Sequence, residues 1–165
     1  MIKTERQYQQ ACLKCQEGQE KLQNQIEGMK ERGYEEDEIG GLTACTSRLL
    51  EESRVAIDLY RRLKARDLSA LAELPLNRQM IGLRIILGLS RSKLAARLGV
   101  SRSEVARDEE NEYRDLTLER CQQLLEAMGL KMVPAYIEGD WQDISAWRGE
   151  LTPLASRQSF RVVIG

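Results

Sequence analysis

Residues 89–113, LSRSKLAARLGVSRSEVARDEENEY, carry two short helical segments around one glycine and then turn abruptly acidic. Ser90 is an N-cap residue, whose side-chain oxygen accepts from a backbone N–H that has no helical partner, so a helix is predicted over Arg91–Leu98. Gly99 permits the tight turn that follows, and Ser101 caps a further helix opening at Arg102. Spacing turns Leu94, Ala95, Leu98, Val100 and Val105 inward, with Ala95 small because the two helices cross closely beside it. That leaves Arg102, Ser103, Glu104, Ala106 and Arg107 on the outer face, ahead of Asp108, Glu109, Glu110 and Glu112.

The pair sits among other capped segments. Upstream, NRQMIGLRIILG (77–88) has Asn77 as its predicted N-cap and Gly88 at its end. Downstream, Thr117 caps LERCQQLLEAM, which puts Leu118, Cys121, Leu124, Leu125 and Met128 on one face and Gly129 beyond its end. Between residues 77 and 107 stand Arg78, Arg84, Arg91, Lys93, Arg97, Arg102 and Arg107 against the single acid Glu104. Such local basicity is the footprint a phosphate backbone attracts, although a solvated helix surface has the same composition. A protruding helix with a polar N-terminal half is also the shape that a DNA major groove admits.

On these residues the segment resembles the helix-turn-helix of the lambda-repressor-like class of bacterial and phage regulators, the class of Cro and the xenobiotic-response-element proteins. The resemblance covers about residues 77–131, and the opening MIKTERQYQQACLK is similar to the polar helical preamble of small antitoxin-like members. It implies a compact helical domain that binds double-stranded DNA, usually as a homodimer on a palindromic operator, often as a repressor. A subset of the class are antitoxins that also bind a toxin protein. Carried onto this chain, the resemblance implies DNA contacts by Arg91, Ser101, Arg102, Ser103, Glu104 and Arg107. Arg91 would touch a phosphate or help a base contact, Ser101 would meet phosphate, and Arg102, Ser103 and Arg107 would meet base edges, where arginine suits guanine O6 and N7. Glu104 would either accept from a cytosine amino group or pair with Arg107 along its own helix. The chain departs from the class at Asp108 (usually apolar or tyrosine), at Glu110 (often basic) and at Asn111, where a glycine is usual and asparagine is the next best left-handed cap. The acids lie at the far end of the helix, so they are expected to face Arg114 or the protein's own body, away from phosphates.

The rest of the 165 residues restricts the alternatives. There is no histidine, which removes the usual general base and the usual metal ligand, and no Gly-rich phosphate loop, so an enzyme is not expected. Net charge is −1, unsuited to a general polyanion binder, and no apolar run approaches the ~20 residues of a spanning helix. The polar N-terminus is not a secretion signal, and a cytoplasmic location with no membrane partner is the expectation.

Residues 3–32 and 36–66 predict two long helices joined near Arg32, Gly33 and Tyr34. Their apolar positions run 8, 12, 15, 22, 26, 29 and 39, 42, 45, 49, 56, 60, 63, each a narrow seam close to heptad spacing. An antiparallel hairpin follows, serving either as a dimerisation or partner-binding arm or as a structural preamble. Cys12, Cys15 and Cys45 fall in those seams. With the reversal at Gly33, Cys45 would lie opposite residue 23, ~12 Å along the helix from Cys15, which is too far for one zinc ion. No metal and no cofactor is expected.

The reading is therefore mainly α: a helical hairpin over 1–74, a helix-turn-helix domain over 75–131 bounded by Pro75, and a tail over 132–165. Within the tail, β-branched runs in 129–139 and 157–165 predict short strands, with Trp141, Trp147 and Phe160 as small-core residues.

Overall fold

The computed structural model describes residues 1–132, and among them seven helices and no strand. They are α1 (Glu5–Glu31), α2 (Glu36–Lys64), α3 (Leu68–Ala72), α4 (Leu76–Ile86), α5 (Arg91–Leu98), α6 (Arg102–Glu110) and α7 (Leu118–Ala127). The strands and aromatic residues expected in the tail lie outside the described residues. Contacts divide the chain into two units, Met1–Arg62 and Leu63 onward.

The first unit is the hairpin. Thr4 caps α1 by accepting from Gln7 N, and the Gln7 side chain accepts in turn from Lys3 N at 2.9 Å, so the helix start is held from both sides. Gly33, at φ 83°, lets the chain leave α1, while Gly33 N and Tyr34 N donate back to Lys30 O and Met29 O. Glu36, Asp37 and Glu38 then occupy the first turn of α2, where the helix dipole favours them. Tyr8 stacks on Tyr60 with ring centroids 5.0 Å apart, and Gly18 lies against Leu50. As α1 advances from residue 8 to 18 its partners retreat from 60 to 50, so the two helices run antiparallel.

The seam of α2 is not the one its apolar spacing predicts. Ile39, Tyr60 and Leu63 are buried as expected, but Thr43 and Ile57 are buried where Leu42 and Ala56 were expected, Leu42 is 58 % and Leu49 54 % exposed, and Cys45 faces solvent. The inward line is displaced by one residue over this stretch. Threonine is tolerated inside because its hydroxyl donates to Ile39 O at 2.7 Å, which satisfies the polar group within its own helix. On α1 the break in the apolar pattern at Gln19 coincides with the place where Leu50 leans onto Gly18.

The second unit is built around α4, whose residues 80–85 are all buried. Met80, Ile81, Leu94, Val105, Cys121 and Leu124 form its interior, with α4 packed on α3 and α7, and α5 packed on α6 and α7. The α7 face contains Cys121, Leu124, Leu125 and Met128 as expected, but Leu118 in its first turn is 68 % exposed. Residues 68–72, between the second long helix and Pro75, form the short α3, with Asp67 accepting from Ser69 N and Ala70 N. Pro75 opens α4 with no side-chain cap, and Asn77 is not the cap. Its amide donates to Glu112 O at 2.8 Å instead, tying the start of α4 to the turn after α6.

Gly82 shows how tight this interior is. A β-carbon there would lie 2.6 Å from Leu71 Cδ1 and 3.5 Å from methyl carbons of Leu63 and Leu74. Gly41, in α2, has nothing within 4 Å. We expect Gly82→Ala to lower stability by about 1–2 kcal/mol through overpacking. Gly41→Ala should raise it by about 0.5–1 kcal/mol through helix propensity. Urea denaturation of both variants checks the pair, and equal effects of one sign would contradict this packing.

Candidate nucleic-acid interface

Backbone chemistry alone sets α5 and α6. Ser90 accepts from Lys93 N at 3.1 Å, and Ser101 accepts from Glu104 N at 3.1 Å. Gly99 adopts φ 69°, a left-handed conformation that most side chains would strain, and its N–H donates to Ala95 O. Buried Leu94, Ala95 and Val105 join the two helices, while Leu98 and Val100 are half-buried. Ser101, Arg102, Ser103 and Arg107 are exposed, with Glu104 and Ala106 half-buried beside them. The side chains predicted to protrude from α6 therefore share its outer surface, and the short helix is held from beneath.

The acids resolve differently from any simple charge count. Glu109 is 0 % exposed and accepts from two arginines on other helices. Arg84, on α4, bonds both of its oxygens, one of them through Nη2 at 3.0 Å, and Arg91, on α5, reaches it through Nε at 2.7 Å. Arg84 also donates to Leu89 O at 2.9 Å, and Arg91 to Glu110 Oε1 at 3.0 Å. Asp108 pairs with Arg120 of α7 at 3.2 Å, and Glu104 approaches the same nitrogen at 3.8 Å. Glu112 pairs with Arg78 of α4 at 2.8 Å. Each carboxylate in 104–112 thus turns to an arginine from another helix. The expectation that the acids face the protein's own body holds, although Arg114 is not the residue that receives them.

Several expectations are corrected by this geometry. Arg84, counted above as part of a phosphate footprint, is buried in the network. Arg91, for which the resemblance implies a phosphate or base contact, has a side chain 14 % exposed and bonded to Glu109 and Glu110. Burial works against its charge, but the bonds and charges of those two acids outweigh burial and raise its pKa. Glu104 turns to Arg120 and not to Arg107. Asn111 takes no left-handed conformation. The positive φ values belong to Glu112 and Tyr113, at 53° and 49°, and Glu112 is secured there by Arg78 and Asn77. Burial, together with the charges of Glu109 and Asp108, pushes the Tyr113 phenol well above its ordinary pKa, so it is a neutral part of the wall.

Charge available to a phosphate is correspondingly smaller and better placed. Of the seven basic residues between 77 and 107, Arg78, Arg84 and Arg91 are neutralised internally, and Arg97 donates to Ala127 O at 3.1 Å while staying exposed. Lys93, Arg102 and Arg107 are exposed, and among the described residues their side chains make no ion pair. Sequence reasoning missed Glu109 and Arg120. One signal was present for the first: Arg84 interrupts the apolar run MIGLRIILG, and an arginine among buried positions requires a carboxylate. No pattern pointed to Arg120.

Residues 83–133, about a third of the chain, match the family model described as Helix-turn-helix, the lambda-repressor-like class that the sequence resembles. No curated protein and no solved structure matches the chain. A domain of this family supports a DNA-binding regulator of transcription. Among the described residues no helix is long and apolar enough to cross a membrane.

The network gives a stability contrast. Glu109→Ala takes from Arg84 and Arg91 the carboxylate they share in the interior, leaving the buried Arg84 charge uncompensated, and should cost about 3–5 kcal/mol. Glu52→Ala removes an i,i+4 pair with Arg48 whose side chains are 64 % and 75 % exposed, and should change stability by less than about 0.5 kcal/mol. Thermal denaturation measures both. A mild effect at Glu109 would mean that the buried pairing does not hold α6 in place.

Proposed function

We propose that α6 is the recognition helix of a sequence-specific regulator of transcription, entering the major groove of double-stranded DNA with its N-terminal half. The observation that carries this reading is a division of labour among charges. Arg102 and Arg107 on α6 stay exposed and unpaired among the described residues, although their helix holds four carboxylates. Each of those carboxylates faces an arginine of another helix, Glu104 at 3.8 Å and the others within hydrogen-bond distance. Guanidinium groups left free in this way suit guanine O6 and N7, at about 1–3 kcal/mol of discrimination per bidentate pair. Ser101 and Ser103 stand beside them, and Lys93 and Arg97 on α5 lie where phosphates flank a groove-bound helix. Arg91 contributes by holding the α5–α6 pair through Glu109 and Glu110. The chain then acts in the cytoplasm as a homodimeric repressor, with two copies of α6 in successive major grooves about 34 Å apart.

Selection of duplexes from a randomised pool, followed by fluorescence anisotropy on the enriched sequence, tests the proposal. Arg102→Ala and Arg107→Ala should each weaken binding roughly 5- to 150-fold and relax preference at one base position. Lys93→Ala should weaken all sequences alike and reduce the slope of log K against log salt by about one. If the wild-type chain enriches no sequence and shows no salt-dependent preference, α6 is not a recognition helix.

A further inference from the structure

Arg107 has two acidic neighbours at helical reach on its own helix, Glu104 three residues before it and Glu110 three residues after. Such pairs are worth about 0.2–0.5 kcal/mol, and a guanidinium shared with a carboxylate of its own helix is correspondingly less available to an outside ligand. Neither pair exists among the described residues, because both acids are drawn sideways. Glu110, at 52 % side-chain exposure, is taken by Arg91, whose Nε also serves the buried Glu109, and Glu104 by Arg120, a residue of α7 outside the α5–α6 pair. Arg120 is placed to do this. It has 27 % side-chain exposure and reaches Glu104 Oε1 at 3.8 Å and Asp108 Oδ2 at 3.2 Å from a single nitrogen. Its other terminal nitrogen donates to Gln123 Oε1 at 3.4 Å, and its backbone position is set by the Thr117 cap, which accepts from Arg120 N.

We propose that Arg120 is a positioning residue for DNA recognition: by holding Glu104 and Asp108 on the α7 side, it keeps Arg107 unpaired and the DNA-facing surface of α6 free of carboxylate. This deepens the reading of α6 as the recognition helix and rests on it for the DNA readout. Removing Arg120 releases Glu104 to pair with Arg107 and leaves Asp108 uncompensated on the same helix. Arg91 acts alike on Glu110, but its removal would also disturb the buried network, so Arg120 is the separable test. A residue that touched phosphate itself, or only stabilised α7, would respond differently to a change at Glu104.

Two measurements decide the matter. On the selected duplex, Arg120→Ala should weaken affinity about three- to tenfold and Arg120→Lys less. Adding Glu104→Gln to Arg120→Ala should recover most of the loss. Failure of that rescue in a folded double variant, or strong tightening by Glu104→Gln alone, overturns the inference. The second measurement needs no DNA: a double-mutant cycle in thermal unfolding between Glu104→Gln and Arg107→Ala. Coupling should be absent in the wild-type background and appear, at about twofold in the unfolding equilibrium constant, when Arg120 is alanine or, should that variant not fold, lysine. Coupling already present in the wild-type background, or absent from both, overturns the inference. If the wild-type chain binds no duplex, the recognition-helix reading fails, and the unfolding cycle still decides whether Arg120 keeps Arg107 free.

Discussion

A carboxylate with no access to water organises the second unit. Glu109 projects from the last turn of α6 into the interior, where an isolated charge would be prohibitively costly, and the fold supplies Arg84 from α4 and Arg91 from α5. Three helices are thereby fixed at one point. Ion pairs of this kind add little net stability over a well-packed apolar core. They do penalise every arrangement in which the partners part, and this restricts how α6 can sit on α4 and α5. Arg84 extends the constraint to the turn before α5 through Leu89 O. Other polar ties repeat the device at the rim, where Asn77 and Arg78 of α4 secure the turn at Glu112.

The same arrangement explains how an acidic helix can present a basic face. α6 carries twice as many acids as arginines, and by net charge it would repel a phosphate backbone. Its acids fall on the sides that meet α4, α5 and α7, and each of those helices contributes an arginine. The helix's own arginines fall on the remaining side. Local sign at an interface is decided by which charges find internal partners, and a sum over the segment misses this. The footprint that seven basic residues suggested is thus reduced to four exposed ones, Lys93, Arg97, Arg102 and Arg107.

How legible each element was depends on whether its cause is local. N-caps at Ser90, Ser101 and Thr117, and the turn at Gly99, were readable because a cap bonds within three residues and a positive φ selects glycine. Asn77 failed as a cap because its side chain found a partner 35 residues away. The α2 seam failed over Leu42, Cys45 and Leu49 because two apolar lines run along that helix, and a buried threonine marks the one that is used. Leu118 was likewise placed by period alone, and the first turn of α7 leaves it outside.

By itself, then, the sequence determined α5, α6 and α7 with their caps at Ser90, Ser101 and Thr117, the turn at Gly99, the helix-turn-helix character of 83–133 and the exposure of Arg102, Ser103 and Arg107. These follow from hydrogen bonds and periodicities spanning a few residues. Only the tertiary structure decided which charges meet and where the chain turns: that Arg84 and Arg91 serve Glu109, that Arg120 lies beside Glu104 and Asp108, and that Glu112 and Tyr113 make the left-handed turn in place of Asn111. Ion pairing is set by distance in space and by burial, and neither is encoded in spacing along the chain.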